Sequence, residues 1–389
     1  MNGPVVFLAG GGSGGHVFPL VAVAHALRRL LPDIRPIFIG TARGMEVQFV
    51  PQQGFELELL NVLPIRGGGL KGAVRGALRA WAMLPESRAL LRKYEPRAVL
   101  SVGGYAAGPV ALAARSLELP VALMEPNSVI GLANWLSIPL VERAYTAFEM
   151  TERHFSPGVV LRTGVPLRPG FEPVPPRLAS GAQRILVLGG SQGAKALNQI
   201  LPAALSRVKL PLAVTHQCGQ AHVDAVTEQY RACTQAADGS GSLRVEVVPF
   251  ISDMPRALAE ADLVVGRAGA GAVSEIAAVG RPSLLIPYPY ASGDHQRVNA
   301  EVLEQGGAAR CVVEADASVA RVAEELERLL KDRAALEQMA RAAARLGRPH
   351  AAEAIARDFL ALSGLIPAIR GAAPTGGDQA VHNPLSEVA

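Results

Sequence analysis

Two glycine-rich turns constrain this chain more than any other feature. Gly10-Gly11-Gly12-Ser13-Gly14-Gly15 follows the apolar run Val5–Ala9 and leads into a helical pattern from about Pro19 to Leu31. Far downstream, Gly189-Gly190-Ser191-Gln192-Gly193 repeats the arrangement between Arg184–Leu188 and a helical pattern over Ala194–Leu205. Strand, glycine turn and helix in that order open a doubly wound α/β unit, in which backbone amides and a helix N-terminus converge on one spot. A chain with two such openings is expected to fold as two α/β halves.

The remaining apolar runs agree. Pro36–Gly40, Ala98–Val102 and Val121–Met124 follow in the first half; Ala213–His216, Val245–Val248, Leu263–Val265 and Pro282–Ile286 follow in the second. Such runs alternating with helical stretches predict parallel sheets covered on both faces. Val165–Pro176 holds five prolines and reads as the linker. The expected division is 1–164, then 165–346 ending in the helical stretch Arg321–Leu346. A last helix at about 347–364 should pack back on the first half. Residues 366–389 are polar and aperiodic, a disordered tail. With 389 residues, 49% of them hydrophobic, there is material for two cores.

Several function classes fall away. No apolar run reaches the roughly 18 residues that a membrane-spanning helix needs. The N-terminus lacks the basic start and cleavage site of a signal peptide. The three cysteines (Cys218, Cys233, Cys311) show neither a disulfide framework nor zinc spacing, which predicts a reducing cytoplasm and no structural metal. A net charge of +4 does not call for a nucleic-acid partner. Positive charge is local instead: Arg66, Lys71, Arg75, Arg79, Arg88, Arg92, Lys93 and Arg97 face only Glu86 and Glu95. Val74, Leu78, Trp81 and Met83 are interleaved with these cations, a pattern suited to an anionic membrane surface or to an ordinary amphipathic helix.

Gly10, Gly12 and Gly15 fit the dinucleotide spacing, but Phe38–Arg43 offers no acid for a ribose, so a nicotinamide enzyme is the weakest reading. The second turn lacks the Gly-Lys-Ser/Thr ending of an NTPase loop. A third small-residue turn, Gly266–Ala272, enters a helix whose Glu275 either accepts hydrogen bonds from a ribose diol or merely complements the macrodipole. Asp294–Asn299 supplies amides and an imidazole, as a sugar-binding loop would.

Four ordered segments, Gly11–Pro19, Gly103–Pro109 with Glu125–Asn134, Gly189–Asn198 and Asp253–Asn299, resemble the MurG family of peptidoglycan N-acetylglucosaminyltransferases, in glycosyltransferase family 28. Single glycine turns are common; the ordered set with Gly-Gly-Ser-Gln-Gly-Ala and Val-Ser-Glu-Ile-Ala is specific. The resemblance implies an α/β GT-B fold of two Rossmann-like domains facing a cleft. It also implies inverting transfer of N-acetylglucosamine from UDP-GlcNAc to lipid I, the undecaprenyl-linked muramoyl-pentapeptide, with no cofactor.

By position, Ile251 would bind uracil, Glu275 the ribose, and Ser191 with Arg168 the diphosphate. Ala270, Gly271, Ala272, Val273 and Ser274 would line the phosphates and sugar, and Gln296 would hold GlcNAc hydroxyls. Ser13, Gly14, Gly15 and Asn127 would close over the donor from the first half, with Gly103, Gly104 and Tyr105 on the acceptor side. His16 and Glu125 are the candidates for the base; the alternative for each is to orient its neighbours. No Asp-x-Asp metal motif is present, so helix N-termini and Arg168 would neutralise the leaving group. The resemblance places such an enzyme peripherally at the cytoplasmic face of the inner membrane, beside other cell-wall synthesis and division proteins. Ala9-Gly10, Met124 and Ala272 depart from common family residues and bear on fine donor contacts. Another lipid acceptor, or a non-catalytic UDP-sugar-binding role in the division machinery, remains as an alternative.

Overall fold

The computed structural model describes residues 3–60, 82–104, 106–176, 181–190, 192–236 and 242–367. Most of the basic apolar segment 64–84, the tail beyond 367, Tyr105 and Ser191 therefore lie outside the described residues.

The first half is a seven-stranded sheet in the order β3-β2-β1-β4-β5-β6-β7. Its strands are β1 (Val5–Gly10), β2 (Arg35–Thr41), β3 (Glu56–Leu60), β4 (Val99–Gly103), β5 (Val121–Glu125), β6 (Arg143–Thr146) and β7 (Val160–Arg162). The second half is six-stranded, β10-β9-β8-β11-β12-β13. It comprises β8 (Gln183–Leu188), β9 (Leu212–Gln217), β10 (Leu243–Val248), β11 (Leu263–Gly266), β12 (Ser283–Leu285) and β13 (Ala309–Cys311). Every described pairing is parallel.

Apolar residues all along a strand are what such sheets require, because alternate side chains must serve opposite cores. Along β1, Val6 and Leu8 join the core under the helix Gly14–Leu30, while Val5, Phe7 and Ala9 join the one under Leu84–Tyr94 and Ala107–Arg115. Ile185 with Val187 and Leu186 with Leu188 divide in the same way along β8.

The halves are tied twice. The helix Ala351–Leu362 buries Ile355, Ala356, Phe359 and Leu360 in the first half's core, and Asp358 accepts a 2.8 Å hydrogen bond from Tyr145 Oη. In the other direction Phe148, Val165, Leu167 and Phe171 enter a core of the second half.

Two local outcomes differ from the periodicity. The first helix starts at Gly14, one turn before Pro19, with Ser13 as N-cap. Pro19 forgoes only the bond to the Gly15 carbonyl, near an exposed helix end where water can serve it. Strands β6, β7 and β13 have four or three residues, too few for a hydrophobic period, while β3 reads Glu-Leu-Glu-Leu-Leu at a sheet edge.

Candidate active site

In each sheet the strand order reverses beside the first strand, between β1 and β4 and between β8 and β11. Loops leaving the carboxyl ends of those strands diverge and open a crevice. The glycine turns stand at these two switch points.

In the first half, neighbouring loops press together at the switch point. Gly103 and Gly104 have φ of 91° and 88°. A Cβ on Gly104 would lie 2.9 Å from the Gly11 carbonyl oxygen, and one on Gly103 would lie 2.9 Å from Asn134 Oδ1. Both positions thus need glycine for conformation and for space. Gly12, with φ of 92°, donates its amide to Glu46 Oε2 at 2.8 Å. Beyond it the helix opens with no side-chain cap. The amides of Gly14 and Gly15 therefore stand at an uncapped N-terminus, which suits an anion. His16 lies in this first turn, its Nδ1 3.1 Å from the Gly11 carbonyl oxygen. A carbonyl only accepts, so Nδ1 carries a proton, and in the neutral ring Nε2 is the acceptor.

Glu125 is enclosed by donors. It is 1% exposed. Its Oε1 accepts from Asn127 N (3.0 Å) and Asn127 Nδ2 (3.2 Å), and its Oε2 accepts from Gly131 N (3.0 Å) and Asn134 Nδ2 (2.8 Å). Four donors occupy both oxygens, leaving nothing to take a substrate proton. Of the two roles open to Glu125, base or orienting group, this geometry favours the second: its carboxylate organises the loop that carries Asn127. Asn127 keeps its own Oδ1 free of partners among the described residues.

Glu46, absent from the residues singled out by sequence, is 1% exposed and sits beneath the first glycine turn. Besides Gly12, it accepts from Thr41 N (2.9 Å) and Thr41 Oγ1 (3.1 Å). An acid does follow β2, then, five residues past Thr41, but it points under the loop. The only trace in the sequence is the glycine at positions 11, 40 and 44, where any Cβ would strike its side chain.

In the second half, Gly190 (φ 78°) faces open space, whereas a Cβ on Gly193 would come within 1.9 Å of the Cys218 carbonyl oxygen. The turn is pressed onto the end of β9. Beneath it buried His216 joins Tyr230 Oη (3.0 Å) to Asn198 Oδ1 (3.1 Å), and Asn198 Nδ2 donates to the Cys218 carbonyl. Burial lowers the His216 pKa to about 4, so it acts here as a neutral strut. The helix after the turn starts at Lys195.

The helix Ala270–Val279 also starts uncapped, after Gly269. A Cβ at Gly269 or Gly271 would meet nothing within 4 Å, and no side chain caps the amides of the first turn, Ala270–Ala272. Val273 is buried and Ser274 half-buried. One turn in, Glu275 has no hydrogen-bond partner among the described residues. Desolvation raises its pKa to about 7, and the nearby charge of Arg168 opposes that rise. Arg168 itself is exposed in the linker. Ile251 is half-buried against the same core. Gln296 Oε1 accepts from Tyr288 N at 3.0 Å, which fixes the amide and turns its NH₂ outward as a donor.

The halves meet at their strand ends. Ser128, past β5, donates its amide to Asn299 Oδ1 (3.2 Å) and its hydroxyl to the His295 carbonyl (3.3 Å). Asn299, fully buried, donates in turn to the Ala268 carbonyl at 3.0 Å. The Asn127 loop is thereby pinned to the turn that precedes Ala270. No group of metal-ligating side chains occurs among the described residues.

Comparison with known proteins supplies a family. Residues 6–146 match the glycosyltransferase family 28 N-terminal domain and residues 184–355 its C-terminal domain. A protein of Sorangium cellulosum (strain So ce56) is 49% identical over 92% of this chain and 88% of its own. Its name is UDP-N-acetylglucosamine–N-acetylmuramyl-(pentapeptide) pyrophosphoryl-undecaprenol N-acetylglucosamine transferase. A protein of the same name from Anaeromyxobacter dehalogenans (strain 2CP-C) is 41% identical over 90% of this chain and 91% of its own. The crystal structure of MurG from Acinetobacter baumannii superposes with a TM-score of 0.76 at 31% identity, covering 91% of this chain and 98% of that one. A putative UDP-N-acetylglucosamine 2-epimerase from Listeria monocytogenes, 14% identical with a TM-score of 0.64 over 92% of this chain and 96% of its own, shares the fold alone.

Proposed function

The chain belongs to glycosyltransferase family 28, and on that premise we propose how its two halves divide one reaction. It is a glycosyltransferase of peptidoglycan synthesis that transfers N-acetylglucosamine from UDP-GlcNAc to undecaprenyl-diphospho-N-acetylmuramoyl-pentapeptide, lipid I, forming lipid II. The observation that carries this reading is the 49% identity, over nearly the whole chain, to a transferase of that name.

In our reading the second half holds the donor. Ile251 meets the uracil, and Glu275 accepts from both ribose hydroxyls. The amides of Ala270–Ala272, with Ser191 and Arg168, take the diphosphate, and the NH₂ of Gln296 donates to the sugar. From the first half, Ser13, Gly14, Gly15 and Asn127 close on the donor, while Gly103, Gly104 and Tyr105 border the acceptor. His16 Nε2 removes the proton of the attacking hydroxyl as the bond from the anomeric carbon to UDP breaks, so the centre inverts in one displacement. Negative charge developing on the leaving diphosphate falls on helix N-termini and Arg168, preorganised and partly shielded from water.

No helix among the described residues is long and apolar enough to cross a membrane. The acceptor is membrane-bound, so we place the enzyme peripherally at the cytoplasmic face. The basic, tryptophan-bearing segment 64–84 would meet anionic lipid there, near other cell-wall synthesis and division proteins.

The test is transfer of labelled GlcNAc from UDP-GlcNAc to a short-chain lipid I analogue by the purified protein. Labelled disaccharide product is expected. Donor binding without product would overturn the acceptor, and absence of donor binding would overturn the donor site.

A further inference from the structure

The first glycine turn contains one peptide unit with two occupied ends. The amide nitrogen of Gly12 donates to Glu46 Oε2 at 2.8 Å, and the carbonyl of the same unit, on Gly11, accepts from His16 Nδ1 at 3.1 Å. A peptide unit is planar and rigid, so holding one end fixes the other. A hydrogen bond to its N–H also polarises its carbonyl and strengthens the bond made there. Glu46 is anchored independently: Oε1 accepts from the backbone and hydroxyl of Thr41, at the end of β2. Its two oxygens therefore have separate duties, one on the sheet and one on the loop.

The surroundings are shaped for this carboxylate. A Cβ on Gly11, Gly40 or Gly44 would come within 2.2, 2.6 or 1.9 Å of Glu46 side-chain atoms. At 1% exposure Glu46 is out of reach of any substrate. A group so placed acts only through its neighbours.

We propose that Glu46 is a positioning residue of the transfer reaction, holding the Gly11–Gly12 peptide so that its carbonyl keeps the His16 proton on Nδ1 and Nε2 bare. The proposal rests on the reading of His16 as the base. It amounts to an acid–histidine pair in which a backbone amide stands between the partners.

The experiment is ¹⁵N spectroscopy of histidine-labelled protein, with the His16 signal assigned by its loss in His16→Ala, on wild type and Glu46→Gln. Wild-type neutral His16 should show a single Nδ1–H tautomer. Glutamine nearly preserves shape but cannot accept with both ends, so Glu46→Gln should give mixed tautomers. Its kcat should fall roughly 10–100-fold, as for a small misplacement of a reacting group, with the KM for UDP-GlcNAc within about twofold. Glu46→Asp keeps the charge and should recover part of the loss. An unchanged tautomer in Glu46→Gln, whether kcat falls or not, overturns the proposal. If instead the tautomer shifts while His16→Ala retains wild-type kcat, the base reading has failed and the catalytic role of Glu46 falls with it.

Discussion

Buried Glu46 and Glu125 in the first half and half-buried Glu275 in the second are treated in opposite ways. In the first half, Glu46 and Glu125 accept three and four hydrogen bonds from protein donors, and each is 1% exposed. In the second half, Glu275 has no such bond among the described residues, and desolvation raises its pKa to about 7. A carboxylate already supplied with donors is part of the scaffold. Glu275, half-buried and left without them, is open to a ligand's donors, in the reading proposed above the two hydroxyls of a ribose. The contrast separates the two loop-holding acids from the acid we propose to bind the ribose.

The largest effect that sharpens this contrast is at Glu125. Glu125→Ala orphans two backbone amides and the Asn127 side-chain amide, and leaves Asn134 Nδ2 only the Met124 carbonyl; it should cost about 3 kcal/mol or more of stability. Urea unfolding of the variant checks this. Native stability with turnover abolished would mean instead that Glu125 takes part in the chemistry, breaking the contrast.

Glu275→Gln should do the reverse. UDP should bind roughly 10–100-fold more weakly, the worth of hydrogen bonds to a charged acceptor, while the ligand-free protein becomes more stable at pH 8. The sign follows from the raised pKa. Between about 4.5 and 7 the unfolded chain releases the proton that the fold retains, so wild-type stability declines across that window and stays lower above it. The loss is at most about 3 kcal/mol, and Glu275→Gln should abolish it; melting at pH 5 and pH 8 reads it out. Correspondingly, UDP binding near pH 6.5 should release protons, visible in calorimetry with buffers of different ionisation heat.

Much of this arrangement was legible in the sequence, for physical reasons. Strands β1, β4, β5 and β8 are short apolar runs because both of their faces are buried, and glycine turns must follow strands that end at a switch point. Glu275 was marked by its place in the first turns of a helix behind a small-residue turn. What stayed hidden depends on contacts between distant segments. Nothing local distinguishes Glu46 from a surface acid; its role comes from room left by Gly11, Gly40 and Gly44 on three separate stretches. The saturation of Glu125 required the fold of residues 127–134 onto it. The link from Ser128 to Asn299 spans the two halves, beyond any sequence period.

That link gives the smallest expected effect. Ser128→Ala removes one hydroxyl bond to the His295 carbonyl while keeping the backbone bond to Asn299, and should cost about 1 kcal/mol. Because it joins the two halves, kcat and donor KM should change together, by a few-fold, in steady-state kinetics. A change confined to kcat would place Ser128 with the chemistry of the first half.

The division of labour between the halves is tested most directly by measuring UDP-GlcNAc binding and single-turnover transfer side by side in His16→Ala and Glu275→Gln. His16→Ala should bind the donor within about twofold of wild type while transfer falls roughly 10²–10⁴-fold, the usual worth of a general base. Glu275→Gln should bind the donor weakly but approach the wild-type transfer rate at saturation. Loss of donor binding in His16→Ala, or a transfer rate in Glu275→Gln that stays low at saturating donor, would contradict the account.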